Sequence, residues 1–280
     1  MSRLSRLCCT ALAATALLAG CGTGTVAGVA EPSAHGDTAN LSAQLASMSE
    51  TVKYNAVAKK SVHITLSSST DGKVAMSGEG DYAFRSDGID MDVKMSGLGG
   101  IAGGEPGATA GMGTEMITLN DITYMKGLPT SNGKPWIKID PNGTDPLSKM
   151  LGPMLRSSQQ FSDPTKLLTL AKQAGTINKI SDDQIDGEAA THYSITIDTQ
   201  KMLAQMPGSD MKKLAQAGAS ALPKTYPMDV WINSDKLPVR FTMAEPLPGS
   251  TKTTMRTDFT DWGRPVTIAA PPANQVGTLH

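Results

Sequence analysis

Cys21 directly follows Leu18, Ala19 and Gly20, an order that gives its thiol a defined covalent fate. Small residues at the two places before a cysteine fit the narrow pocket of a signal peptidase, and the thiol can then be joined to diacylglycerol through a thioether. Arg3 and Arg6 form a basic tip, and Leu7 through Leu18 an apolar run too short to span a bilayer as a helix. The spacing predicts a lipoprotein signal over 1–20, with lipidated Cys21 as the first mature residue at the outer face of the cytoplasmic membrane. Cys8 and Cys9 fall inside that signal, so the mature chain would hold no intramolecular disulfide and would depend on a hydrophobic core.

Side chains that could make or break bonds in a substrate form no recognisable set. The chain contains no H-E-x-x-H, no G-x-S-x-G and no G-x-x-x-x-G-K. His63 and His192 fall at polar-face positions of expected strands, where they read as solvated surface residues. Asp90 and Asp92 share a face of one strand, but Lys94 follows them, which makes a mixed-charge stripe rather than a catalytic pair. Gly97 and Gly99 follow a strand with no helix opening behind them, so a nucleotide site is not expected. The expectation is no enzyme, no metal and no cofactor. Loss of Arg3 and Arg6 leaves 23 basic against 26 acidic side chains, a net charge of −3, which gives no reason to expect nucleic acid as a partner.

The elements that position the remaining chemistry follow from periodicity. Residues 21–40 have the Gly, Ala, Thr, Ser and Pro composition of a flexible tether with a reach of roughly 25 Å. Leu41, Leu45, Met48, Val52 and Ala56 recur at helical spacing. After Lys60 the period becomes two: Val62, Ile64 and Leu66, then Val74, Met76, Gly78, Gly80, Tyr82 and Phe84, then Ile89, Met91, Val93 and Met95 alternate with polar residues. Asp71-Gly72 and Asp87-Gly88 mark tight turns, and similar runs at 115–119, 122–126, 136–140, 191–198, 228–233, 237–243 and 253–259 bring the expected strands to about ten. Gly97 to Gly113 reads as a glycine-rich loop. Helices are expected between Asp145 and Ala174, the second starting at Asp163-Pro164, and from Thr199 to about Ala221. One domain over 41–270 is expected, with a loose tail at 271–280.

The apolar side of this meander carries the functional expectation. Gly78 and Gly80 leave two successive inward places without side chains. Either a bound molecule fills that space or the glycines mark a bend where the sheet curls. Methionine is abundant, with 16 residues, and Met76, Met91, Met95, Met150 and Met154 fall on expected apolar faces. Their unbranched thioethers can repack around acyl chains.

Several local phrases carry a family likeness: Thr123-Tyr124-Met125-Lys126, Pro135-Trp136-Ile137-Lys138, Asp186-Gly187 followed by Thr191-His192-Tyr193, Leu237-Pro238-Val239-Arg240-Phe241, and Asp261-Trp262-Gly263. Together with the order of lipobox, tether, helix, meander, helices and further strands, they resemble the actinobacterial lipoproteins of the LppX/LprG group, which share a half-barrel fold with the carrier LolA. The resemblance implies an α+β fold in which a curved antiparallel sheet wraps around helices and encloses an apolar cavity for lipid or lipoglycan tails. The lining expected from the residues is Val74, Met76, Gly78, Gly80, Tyr82, Phe84, Met91, Val93, Met95, Leu147, Met150, Leu151, Met154, Ile195, Val230 and Ile232, with Cys21 as the separate lipidation site. The expected protein is a monomeric, membrane-anchored lipid carrier or chaperone with an envelope transporter as partner. The alternatives are an envelope interaction or sensor module whose wet face meets another protein, and a hydrolase whose histidines converge only in three dimensions.

Overall fold

The computed structural model describes residues 38–97, 113–127, 133–205, 222–244 and 253–277, and within them the side chains at all positions other than 38–42, 147, 154, 157, 158, 160 and 161. The lipobox with Cys21, residues 98–112 of the glycine-rich loop and residues 206–221 lie outside the described set, as do the side chains of Leu147 and Met154.

The described elements are α1 (Thr38–Lys59), β1 (Ser61–Thr70), β2 (Lys73–Phe84), β3 (Ile89–Ser96), β4 (Thr114–Leu119), β5 (Ile122–Lys126), β6 (Trp136–Ile139), α2 (Pro146–Ser162), α3 (Pro164–Ala174), β7 (Gly175–Ile185), β8 (Glu188–Asp198), α4 (Thr199–Gln205), β9 (Thr225–Asn233), β10 (Pro238–Ala244), β11 (Thr253–Thr260) and β12 (Val276–Gly277). The 12 strands form one open sheet in the order β12-β6-β5-β4-β3-β2-β1-β11-β10-β9-β8-β7, antiparallel except where β12 joins β6. Three hairpins are closed by two-residue turns with both central φ angles positive: Asp71 at 50° and Gly72 at 77°, Asn120 at 50° and Asp121 at 66°, Asp186 at 53° and Gly187 at 89°. Such turns match the right-handed twist of the strands they join. The helix of sequence Pro164–Ala174 begins as its residues dictate. Asp163 Oδ1 accepts from Thr165 N at 2.9 Å while Pro164 takes the first helical place, where a missing N–H costs nothing.

The core lies between one face of the sheet and the helices. Leu45, Met48, Val52 and Ala56 form the buried stripe of α1, as their spacing requires, and Leu167, Leu168, Leu170, Ala171 and Ala174 that of α3. All of these but Ala56 pack with Val62 and Ile64 of β1, Tyr82 of β2, Ile89, Met91 and Val93 of β3, Ile195 and Ile197 of β8, Met228, Val230 and Ile232 of β9, Phe241 and Phe259. A second, separate cluster joins Leu155 and Leu151 of α2 to Ile137 and Ile139 of β6, with Met125 alongside. The apolar interior is therefore in two pieces, and β4 and β5 run along the seam.

Three expectations change. Thr38, Ala39 and Asn40 belong to α1 and not to a tether. The chain end is attached as far as Gly277, because β12 pairs with Trp136 and Ile137 of β6 and Lys134 Nζ donates to the Val276 carbonyl at 3.1 Å. Strand β7 escapes the period-two pattern because Asn178 is an extra residue: Ile177 pairs with Ile195, but Lys179 already pairs with Ser194. The two inward isoleucines, Ile177 and Ile180, are thus three apart.

Candidate functional site

Residues directly opposite in an antiparallel pair share a face, so register shows what the sheet turns toward its helices. One row runs Val93, Gly80, Ile64, Phe259, and the next Met95, Gly78, Leu66, Thr257, Phe241. Of the expected lining, Tyr82, Met91, Val93, Ile195, Val230 and Ile232 are on this face and at most 3% exposed, which makes them packed core. Phe84 is half-buried and stacks on Trp262 with ring centres 5.5 Å apart.

The two glycines do not leave room beside them. A Cβ on Gly78 would stand 2.8 Å from the Lys94 carbonyl oxygen, 3.0 Å from Met95 Cγ and 3.2 Å from Leu66 Cδ1. One on Gly80 would run into the Asp92 carbonyl oxygen and stand 2.7 Å from Val93 Cα. Strand β3 crowds onto β2 here, and glycine is what lets two backbones come so close. The two glycines are thus places where β2 and β3 approach closely, with no space beside them for a bound molecule.

Two further expected lining residues turn away. Ser68 pairs with Met76 while Ser69 pairs with Val74, so Ala75 is a bulge residue and reverses the parity of everything before it on β2. Val74 accordingly faces water at 66% exposure, while Met76 keeps its inward position. On α2, Leu151 and Leu155 take the buried stripe. Met150, about 100° round the helix from Leu151, is 69% exposed.

Sequence reading missed most of the thioethers that reach the inner face. Met76 and Met255 flank Ser68, Met243 lies beside Met255, and Met228 beside Met243, in one row across β2, β1, β11, β10 and β9. Met95 lies on the neighbouring row, and Met116 of β4 pairs with Met125 of β5 across the seam between the two cores. Met76, Met95, Met116, Met125, Met243 and Met255 are all half-buried, whereas Met228 is sealed at 1%. The signal was in the strands already recognised, since each methionine alternates with outward polar residues. Without the pairing order, the row could not be assembled. Beside that seam, Thr118 and Thr123 are buried and bonded to each other through their hydroxyls at 3.2 Å.

Two pockets are bounded by described residues. A recess of about 110 Å³ lies between α1, α3 and the β2–β3 turn, with Lys53, Val57, Phe84, Arg85, Asp163 and Lys166 in its wall. An open basin of about 580 Å³ lies beside α2, lined by Pro141, Asn142, Gly143, Ser148, Lys149, Pro153 and Arg156. Among the described side chains, Phe84 is the one expected lining residue in either wall.

The outer face of the sheet is a ladder of paired charges. Arg240, Asp258, Thr65, Glu79, Lys94 and Glu115 stand side by side across six strands. Arg240 Nε and Arg256 Nε both donate to Asp258, the second at 2.7 Å, and Lys126 Nζ reaches Glu115 at 3.3 Å. His63 and His192 do face outward as expected, but each has a carboxylate partner at 2.8 Å, Asp81 and Asp229 respectively. Four strand steps separate them, about 19 Å, so they share no cleft. His192 also stacks on Trp231 at 4.4 Å, whose Nε1 donates to Asp183 at 2.8 Å and holds that carboxyl below its usual range. Asp90 is buried, accepting from Asn120 N at 2.9 Å, so the acidic stripe of β3 is not wholly solvated. Asp92 has its carboxyl pushed up by desolvation first and by Glu115 next, against the pull of Lys94. The large apolar side chains exposed among the described residues, Tyr54, Val74 and Met150, sit on three different elements and form no common patch.

No family model matches the chain. A curated relative, an uncharacterised 31.2 kDa protein encoded between rplA and rplJ in Streptomyces griseus, is 27% identical over 148 residues, 51% of this chain and 48% of its own length. The chain thus aligns with about half of that relative. Among solved structures, LprF from Mycobacterium bovis is similar at 17% identity and a TM-score of 0.47, over 82% of this chain and 97% of its own. The lipoprotein LppX of Mycobacterium tuberculosis is similar at 14% identity and a TM-score of 0.47, over 81% of this chain and 99% of its own. Both are lipoproteins of the family that the local phrases of this sequence resemble. No helix among the described residues is long and apolar enough to cross a membrane.

Proposed function

We propose that this chain is a membrane-anchored carrier or chaperone of the cell envelope, held by a lipid on Cys21, that binds acyl chains of a lipid or lipoglycan between its sheet and helices. It acts by binding and makes or breaks no bond in its cargo. The observation that carries the reading is the inner-face set of half-buried methionines, which continues the packed core toward the surface at Met76, Met255 and Met243 and crosses the seam at Met116 and Met125. Thioether side chains have three soft torsions and give way to guests of varied shape. Each methylene transferred from water to such a surface contributes about 0.8 kcal/mol, so a chain of ten carbons supplies enough to offset the opening of the site.

The working form is a monomer that takes cargo from one membrane-bound donor and yields it to another, with an envelope transporter as partner. Mass spectrometry of the protein purified without detergent from its native host tests the reading. Acylated molecules should accompany the protein and be displaced by a fluorescent fatty acid. A preparation that carries no lipid and takes up no fatty acid would refute it.

A further inference from the structure

Arg156 of α2 differs in its partners from the other described arginines. Arg85, Arg240, Arg256 and Arg264 each meet at least one carboxylate. Arg156 is the exception among the described arginines. It donates to the Pro141 carbonyl and, at 3.5 Å, to Asn142 Oδ1, both neutral acceptors, so the guanidinium is pinned while its charge stays unmatched. Lys149 likewise meets no carboxylate among the described residues. Asp140 Oδ1 accepts from Asn142 N at 2.9 Å, and Asp145 Oδ1 accepts from Ser148 N at 2.9 Å as the cap of α2, with Asp145 Oδ2 beside Gly143 of the basin wall.

Lys149, Pro153 and Arg156 stand at i, i+4 and i+7, one stripe of the helix, and all three line the open basin of about 580 Å³. The basin is preformed. A Cβ on Gly152 would strike the Pro141 carbonyl, and one on Gly143 would stand 2.6 Å from Ser148 Oγ, so loop and helix are already in close contact. On the other stripe of α2, Leu151 and Leu155 pack on Ile137 and Ile139 with Met125 beside them. One helix therefore presents two cations to the basin and, on its opposite side, an apolar flank to β6.

We propose that the basin seats an anionic headgroup, a phosphate or carboxylate, of the cargo; this rests on the carrier reading above and restricts the cargo to anionic amphiphiles. An arginine fork and a lysine ammonium are the donors that such oxyanions need.

The test uses the full chain with Cys21→Ser, so that no covalent lipid competes, and compares a phosphatidic acid with a diacylglycerol of the same chains. The phosphatidic acid should bind about tenfold more tightly, the worth of one charge-assisted contact at a partly exposed site. Lys149→Gln should remove most of that preference and leave diacylglycerol binding unchanged, and Arg156→Gln should do the same. Lys149 is exposed and makes no bond that the fold needs, so its variant remains informative even if Arg156→Gln unfolds. Raising salt from about 0.05 to about 0.5 M should shrink the preference. Equal binding of the two lipids, or a preference that survives Lys149→Gln, would overturn the assignment. Inorganic phosphate alone binding as tightly as phosphatidic acid would make this a free-phosphate site and also overturn it. Failure of both lipids to bind would instead remove the carrier reading itself.

Discussion

Gly80→Ala distinguishes a close approach of strands from a void. The added methyl would be driven onto the Asp92 carbonyl oxygen and held 2.7 Å from Val93 Cα, where carbon atoms in packed protein normally stand about 3.5–4.0 Å apart. The obstacle is backbone, and Val93 is itself 2% exposed, so β2 and β3 must separate by about 1 Å inside the core. Overpacking of this kind costs about 3 kcal/mol, offset by about 0.5 kcal/mol from the lower entropy of the unfolded alanine chain. The net loss of about 2.5 kcal/mol corresponds to a fall in Tm of roughly 5–10 °C for a domain of this size. Gly78→Ala should lose only about 1 kcal/mol, because two of its three obstacles are the movable ends of Met95 and Leu66. Equilibrium urea unfolding of both variants gives the comparison, with unchanged slopes showing that only the native state is affected. If Gly80→Ala unfolds within about 0.5 kcal/mol of the parent and instead loses affinity for a fatty acid, the position faces open space and the close-approach explanation is wrong.

Three other outcomes are expected. Asp92→Asn should be more stable than the parent at pH 7 by less than about 1 kcal/mol once solvent screening is counted, since it removes a charge disfavoured first by burial and next by Glu115, with Asp81 directly opposite adding least. The folded-state pKa of Asp92 is raised, so its stabilising protonated form is complete below the unfolded value and is lost as pH rises through the folded one. The advantage of the variant should therefore vanish on acidification, as urea titrations at several pH values would show. Val74→Ser should shift stability by less than about 0.5 kcal/mol, whereas Val93→Ala should lose about 2 kcal/mol, and equal losses in thermal scans would contradict the bulge at Ala75. Met255→Lys should weaken binding of a neutral fluorescent acyl probe about tenfold, the worth of roughly two methylenes, and an unchanged affinity would move the entry site elsewhere.

What could be read from the residues alone is what depends on one strand or one helix at a time. Alternation in β1 to β3, the Asp71-Gly72 turn, the α1 stripe and the Asp163 cap are local consequences of side-chain and backbone chemistry, and all are present. Val74 could not be placed correctly, because a single extra residue reverses parity and alanine at position 75 does not announce a bulge. Strand β7 was hidden by the same device at Asn178, and β12 by its brevity and its partner more than a hundred residues earlier in the chain. The role of Gly78 and Gly80 depended on what β3 does opposite them, and that is a tertiary fact. The methionine row is the same kind of fact: its four methionines come from four separate strands, with Ser68 of β1 between two of them, and only the order β2-β1-β11-β10-β9 makes them neighbours.

A filled interior at Gly80 and a carrier's need for space are compatible once the unloaded state is considered. A permanently empty apolar site of even about 300 Å³ would destabilise the fold by about 7 kcal/mol at the usual cavity penalty, comparable with the whole stability of an ordinary domain. A carrier that spends part of its cycle without cargo cannot sustain that void, and its walls should collapse onto side chains that can move aside again. Leucine or isoleucine would fill the gap but hold it rigidly. Methionine fills it with a straight chain that re-orients at little cost, and the half-buried positions on the inner face of this sheet carry methionine at β2, β3, β4, β5, β10 and β11. Under the proposed function, uptake would exchange contacts with thioethers for contacts with cargo, so affinity would reflect the difference between the two rather than the full burial of an acyl chain. Such moderated binding lets a carrier release its load to the next membrane or protein.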